Sequence, residues 1–237
     1  SVYSRQDLVA SQTAIEEMLA DRGYAFANVN GVPEQRRDTA IVNFTFIVDP
    51  GPTVYIRRIN ISGNEYTRDE VIRRELRQLE GAVYSLSKIR RSRERLAKLG
   101  FFRDVSMQTP RVSGVIDQVD MLVEVEERST GNLNFGVGYS GSEKLLLQAE
   151  IARENLFGTG RELRFKVDHS ALTKIYDVAY RNPYYTTHGV SREVFLAQRD
   201  VDATEVDSAD YHEDTTSGGV RYRIPLTEYD SMALSAA

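Results

Sequence analysis

Between Gly131 and Ser140 the chain reads GNLNFGVGYS, and its side chains alternate strictly. Leu133, Phe135, Val137 and Tyr139 fall on one face of an extended strand, while Asn132, Asn134, Gly136 and Gly138 fall on the other. A period of two is incompatible with a helix, whose apolar positions recur every three to four residues. The same alternation returns, with turn signals between, almost to Ala237. From residue 131 onward the chain is therefore expected to build an antiparallel sheet with one apolar and one polar face, the pattern of a membrane β-barrel.

The expected strands can be placed one by one. A second runs from about Lys144 to Glu154, and Asn155-Leu156-Phe157-Gly158-Thr159-Gly160 makes a tight reversal. In the third, Leu163, Phe165 and Val167 alternate with Arg164, Lys166 and Asp168; the fourth aligns Tyr176, Val178 and Tyr180 before Asn182-Pro183 breaks it. Val190 to Arg199 is a fifth, of mixed facing that the sequence leaves unresolved. An acidic linker from Asp200 to Asp214 leads to a sixth, with Val220, Tyr222, Ile224 and Leu226 opposed to Arg221 and Arg223. A seventh begins at Tyr229. An odd set cannot close, so the barrel is expected to continue beyond Ala237. By parity, the connections after strands two, four and six share one side as short turns, and the acidic linker is the longest loop on the other.

Composition agrees without deciding. Mean hydropathy is −0.41, and no run of about 18 to 20 apolar residues is present, so no helix is expected to cross a membrane. Barrel strands escape that test because only every second residue is apolar. Cysteine is absent, which excludes disulfides, thiolate zinc sites and thiol catalysis. A net charge of −5 gives no support for nucleic-acid binding. The first residues, SVYSRQDLVA, have neither the basic start nor the apolar core of a signal peptide, and read as a piece cut inside a longer protein.

Ahead of residue 131 lie two related modules. In the second, a strand over Val54 to Ile61 turns at Ser62-Gly63-Asn64. Thr67 and Glu70 form a capping box, and Val71, Ile72, Leu76 and Leu79 make the buried stripe of a helix ending at Gly81. A second helix spans about Leu86 to Leu99. A strand follows Phe101, and Val119, Met121, Val123 and Val125 mark the last, giving the order β-α-α-β-β. The first module has a helix from Gln6 to Arg22, a polar stretch from Asn30 to Asp38, and a strand with Val42, Phe44, Phe46 and Val48 on one face. Val2-Tyr3-Ser4 reappears as Val83-Tyr84-Ser85, and Leu19-Ala20 with Gly23-Tyr24 as Leu96-Ala97 with Gly100-Phe101. The first module is thus the end of one repeat. The domains read 1–50, 51–128 and 129–237.

Three other signals have ordinary readings. Gly136 to Gly141 matches GxGxxG, but a dinucleotide needs that turn between a strand and a helix, and here it lies inside a strand. Arg90, Arg91, Arg93 and Arg95 form a basic run that a helix would carry mainly on its solvated side. His169, His188 and His212 are too dispersed for a metal site, and no Ser/His/Asp elbow is visible. Neither a cofactor nor catalysis is expected, so the chain is read as no enzyme.

Tyr55-Ile56-Arg57-Arg58-Ile59 with Gly63-Asn64, then RRELRQLEG from Arg73 to Gly81, then Leu99-Gly100-Phe101-Phe102, resemble the last POTRA domain of the BamA family of outer-membrane protein assembly factors. The likeness continues through Val125-Glu126-Glu127-Arg128, Gly131 to Tyr139, Leu156 to Gly160 and Asn182-Pro183-Tyr184, over essentially the whole chain. It implies α+β POTRA domains in the periplasm followed by an antiparallel transmembrane β-barrel of roughly sixteen strands in the Gram-negative outer membrane. It implies a machine that folds and inserts β-barrel clients without ATP, together with accessory lipoproteins. Matching the family's partner-facing helix places Arg73 and Glu80 toward the lipoprotein BamD; they stand seven apart, about two helical turns, on one face. The first strand, Gly131, Asn132, Leu133, Asn134, Phe135, Gly136, Val137, Gly138 and Tyr139, becomes the barrel's lateral seam, kept weak by glycine and asparagine. A two-partner secretion barrel shares the same parts.

Overall fold

The structure, a computed structural model, describes residues 5–35, 42–141, 143–202, 212–227 and 230–237. It divides into two compact units, residues 1–65 with 72–127 and residues 66–71 with 128–237. Val2 to Ser4, and Asp38 at the end of the polar stretch, lie outside the described residues.

The first unit opens with α1 (Arg5–Ala20), followed by β1 (Asn28–Gln35) and β2 (Val42–Asp49), which pair antiparallel. The polar stretch from Asn30 is thus a strand as far as Gln35. Pairing with β2 satisfies its backbone, and that is enough to hold it extended when the sequence offers little apolar alternation. Val29 is fully buried, while Ile47 points outward beside the half-buried Phe46.

Next come β3 (Tyr55–Ser62), α2 (Asp69–Arg73), α3 (Leu86–Lys98), β4 (Phe102–Gln108) and β5 (Gln118–Glu127), in the expected β-α-α-β-β order. The sheet order is β3-β5-β4, with β3 parallel and β4 antiparallel to the central strand. Ile56, Ile72, Leu96, Val119, Met121 and Val123 are fully or almost fully buried and form its core. At about 1.5 to 3 kcal/mol for each such side chain, this core dominates the module's stability. Ser85 caps α3 by accepting from Lys88 N, and Gly100 ends it at a positive φ of 74°.

One helix is much shorter than its stripe suggests. α2 stops at Arg73, and residues 74–81 run through turns. Leu79, counted in the apolar stripe, is 61% exposed, whereas Gln78 is fully buried. The Gln78 side chain explains the exchange: Nε2 donates to Val83 O at 3.0 Å and Oε1 accepts from Ser85 N at 3.1 Å. It satisfies the backbone leading into α3, a gain no helical periodicity registers.

The second unit is a seven-stranded antiparallel sheet in the order β12-β11-β10-β9-β8-β7-β6. Its strands are β6 (Gly131–Ser140), β7 (Lys144–Leu156), β8 (Arg161–His169), β9 (Thr173–Asn182), β10 (Ser191–Asp202), β11 (His212–Pro225) and β12 (Ser231–Ala236). The sheet is open, with β6 and β12 at its edges. Register aligns Leu133, Ile151, Phe165, Val178 and Leu196 across five strands, making one continuous apolar face. β10 belongs to it through Val194 and Leu196, with Glu193 and Phe195 on the opposite face, which settles the facing left open by the sequence.

Two expectations are corrected. The acidic stretch is not a linker throughout: Asp200 to Asp202 continue β10 and His212 to Asp214 begin β11, because cross-strand pairing extends both; residues 203–211 lie outside the described set. The connection after β9 fills residues 183–190, so that side is not served by short turns alone, while the connections at 141–143 and 170–172 on the other side are brief.

Candidate functional site: an open edge strand and its supports

β6 has β7 as its one strand neighbour among the described residues, so the other side of its backbone is unpaired. Leu133, Phe135, Val137 and Tyr139 are 62–77% exposed, against 40–58% for Ile151, Leu163, Phe165, Tyr176, Val178 and Leu196 on inner strands of the same face. The difference is the missing neighbour. On the opposite face Gly136 and Gly138 lie within van der Waals reach of Gln148 and Leu146, where an added Cβ would meet them at 3.5 Å without a clash. These glycines are therefore not required by space; what they do is weaken the strand. They leave a recess of about 200 Å³ lined by Asn134, Gly136, Gln148, Glu150, Lys166 and Asp168. The GxGxxG match runs through β6 and into another strand, without the helix that would face a pyrophosphate.

The polar face beyond that recess is a charge ladder. Glu162, Arg181, Glu193 and Arg221 follow one another across β8, β9, β10 and β11 in register. Arg181 pairs with Glu162, and Arg221 with Glu193 at 2.7 Å. Arg164–Asp177 at 3.9 Å and Lys166–Asp168 at 2.6 Å continue the pattern.

Arg73 and Glu80 do come together, though not on the two-turn helix face expected of them, since α2 ends at Arg73. Their side chains lie 3.6 Å apart and about half exposed. Glu80 Oε1 accepts from Ile59 N at 2.8 Å, and Arg73 Nη2 donates to Ile59 O at 3.2 Å. β3 is an edge strand, so this pair closes its outer backbone at Ile59.

The basic run on α3 is used within the unit. Arg90 pairs with Glu17 of α1, Arg93 Nε donates to Val105 O, and Arg95 meets Glu75 at 2.6 Å, with the Glu75 side chain 4% exposed. Asp21, which no motif singled out, accepts from Ser87 N at 2.6 Å at the start of α3. Burial pushes its carboxyl up, but the Ser87 and Ser85 hydrogen bonds and nearby Arg90 outweigh that and leave it below the ordinary value. Glu17 is lowered by its hydrogen bond from Arg90, and Asp120 by the two-point contact with Arg57 at 2.6 and 2.8 Å.

Sequence reasoning also saw the reversal at Asn155 to Gly160 only as a turn. Within the second unit it seats residues 66–71. Asn155, almost fully buried, donates from Nδ2 to Thr67 Oγ1 and accepts at Oδ1 from Gly160 N, both at 2.8 Å. Arg68 N donates to Gly158 O at 2.9 Å. Gly158 has φ +70°, and a Cβ there would sit 2.0 Å from Tyr66 O, so only glycine fits.

Known proteins match this arrangement. Residues 1–51 and 54–128 match the POTRA family, described as a surface antigen variable number repeat, and residues 155–237 match the Omp85 superfamily domain. The outer membrane protein assembly factor BamA of Neisseria meningitidis is 35% identical over 230 residues, covering 96% of this chain and 29% of that protein. The crystal structure of BamA from Haemophilus ducreyi lacking POTRA domains 1–3 superposes with a TM-score of 0.87 at 33% identity, over 99% of this chain and 44% of that one. CdiB from Acinetobacter baumannii shares the fold with a TM-score of 0.57 at 16% identity, over 95% and 43%. The chain thus spans under a third of the length of the Neisseria relative.

Proposed function

The chain belongs to the POTRA and Omp85 family that includes the BamA outer membrane protein assembly factors, and on that premise we propose that it is the junction segment of such a factor. Residues 1–50 and 51–128 act as periplasmic POTRA modules, and the sheet from residue 129 is the first part of a transmembrane barrel in the outer membrane. Its apolar face meets lipid, and its charge ladder faces the lumen.

The observation that carries the reading is β6, the first strand and one edge of the sheet, apolar on one face and weakened by glycine and asparagine on the other. Such an edge templates an incoming strand by main-chain hydrogen bonds. No nucleotide is needed, because the client's own strand pairing and apolar burial supply the driving force. Clients are unfolded outer-membrane β-barrel proteins. Arg73 and Glu80 face the lipoprotein BamD, presenting a half-exposed ion pair that also closes the edge of β3.

Cysteines placed singly along Gly131 to Tyr139 in the full-length protein are expected to crosslink to a client caught during folding. Crosslinks confined to the protein's own closing strand would remove the template role. For the lipoprotein, Arg73→Glu or Glu80→Lys is expected to abolish copurification, and intact copurification would remove that assignment.

A further inference from the structure

The outward face of the second unit carries a feature that the assembly function does not use. In register, Arg153 stands opposite Leu163, Leu163 opposite Tyr180, and Tyr180 opposite Val194. One step nearer the turns, on the same face, lie Arg161 at the start of β8 and Arg192, which is opposite Asn182 on β9 and Tyr222 on β11. Where the apolar stripe ends, three guanidinium groups therefore begin.

Their surroundings differ from those of four cations on the polar face. Arg164, Lys166, Arg181 and Arg221 each meet a carboxylate. Among the described residues, none of Arg153, Arg161 and Arg192 has a carboxylate within ion-pair distance. Two of them have aromatic neighbours: Arg192 lies 3.9 Å over the Tyr185 ring, Tyr185 meets Tyr222 edge-on at 6.2 Å, and Arg153 lies 5.9 Å from the Tyr66 ring. Arg153 and Arg161 are exposed. At the far end of the same face the charges are acid-rich and internally matched, with Lys174–Asp200 at 3.4 Å and His212–Asp200 at 3.7 Å beside Asp202 and Asp214. The face is thus electrostatically polarised along its strands.

An arginine at an apolar border lays its stem on the hydrocarbon and holds its planar fork at the polar boundary, where it matches a phosphate in two-point fashion. Stacking on tyrosine fixes the fork without consuming its charge. We propose that Arg153, Arg161 and Arg192, with Tyr185 and Tyr222, form a binding strip for the phosphate diesters of anionic phospholipids, in the leaflet bordering the turns at 157–160 and 183–190. The strip rests on the membrane-barrel reading of the second unit.

The test uses the full-length protein in phosphatidylcholine bilayers doped with spin-labelled phosphatidylglycerol or spin-labelled phosphatidylcholine, with the motionally restricted fraction of each lipid read by electron spin resonance. A surface cation attracts an anionic lipid by about fivefold, so an enrichment of phosphatidylglycerol of about fivefold or more is expected. It should fall toward unity in the triple variant R153Q/R161Q/R192Q, fall part of the way in the triple Arg→Lys variant, which keeps the charge and loses the two-point fork, and be unaffected by R221Q on the opposite face. If the triple variant does not fold, R161Q alone, at an exposed residue, should lower the enrichment about twofold or more. Equal restriction of both lipids by the unaltered protein would overturn the strip while leaving the membrane reading intact. No restriction of either lipid would overturn both. Undiminished enrichment in the glutamine variants, or its displacement by soluble glycerol phosphate, would also sink the proposal.

Discussion

β3 and β6 are both edge strands, and the chain treats them in opposite ways. At β3 the Arg73–Glu80 pair takes up both backbone groups of Ile59, so the edge is closed by side chains from the same unit. β6 carries no such side-chain cover among the described residues, and Asn132, Asn134, Gly136 and Gly138 on one of its faces are poor strand formers. The same contrast runs through the charges. In the first unit Glu75 is buried against Arg95, while in the second the ion pairs lie in a row on a half-exposed face. The glycines and asparagines of β6 weaken its hold on any strand that pairs with it, whereas β3 is closed within its own unit.

The contrast can be broken most forcefully at the buried pair. Arg95→Ala removes the close partner of the 4% exposed Glu75 side chain, leaving Arg74 at 3.9 Å, and is expected to cost about 3 kcal/mol in denaturant unfolding. Arg221→Ala in the second unit, where the arginine side chain is 46% exposed, should cost no more than about 1 kcal/mol. Comparable losses would mean that the two units do not differ in how they hold charge.

Strengthening β6 comes next. Gly136→Ala with Gly138→Ala adds a Cβ that each site accepts at ordinary contact distance and should stabilise the strand by roughly 0.5–1 kcal/mol per site. If weakness matters, client insertion slows by about fivefold or more although the protein is more stable. Unchanged insertion would show that the glycines serve something else.

Uncovering β3 should have a smaller effect. Glu80→Ala removes the acceptor for Ile59 N and is expected to cost about 1 kcal/mol, moderated by solvent access, with increased self-association by sedimentation as the edge opens. Stability loss without association would separate the hydrogen bond from edge protection.

The smallest effect is with pH. Glu17, Asp21 and Asp120 have carboxyls held below their ordinary values of 4.5, 3.8 and 3.8. Their contribution is full above those values and is lost as pH falls through the lower folded ones. Melting temperature should therefore drop on acidification below about pH 4.5, and Asp21→Asn should flatten part of that slope. A melting curve indifferent to pH in that range would contradict the pairing at Asp21.

Much of this was legible in residue order. Period-two alternation placed the strands from Gly131 onward, and turn residues placed most breaks, because a sheet with one apolar face imposes its pleat on every strand. Apolar stripes, caps and turn residues along the second module gave its β-α-α-β-β order. What failed did so where local pattern and satisfied polar groups disagree. The stripe through Leu79 suggested a long helix, but Gln78 stabilises turns by bonding Val83 and Ser85, partners that sequence separation hides. β1 has little periodicity of its own and exists because β2 pairs with it. Arg73 and Glu80 were found, yet their contact with Ile59 was not, since it depends on where the chain turns after α2.

The sequence alone determined that an alternating, one-face-apolar sheet follows two α+β modules, because periodicity is a local consequence of backbone geometry. Only the tertiary structure decided that Arg73 and Glu80 close β3 at Ile59, that Asn155 is a buried tie to Thr67, and that Arg153, Arg161 and Arg192 on the apolar face have no carboxylate at ion-pair distance among the described residues while Arg181 and Arg221 on the polar face do. Those are facts of register and neighbourhood, set by which strands lie side by side rather than by any residue's own preference.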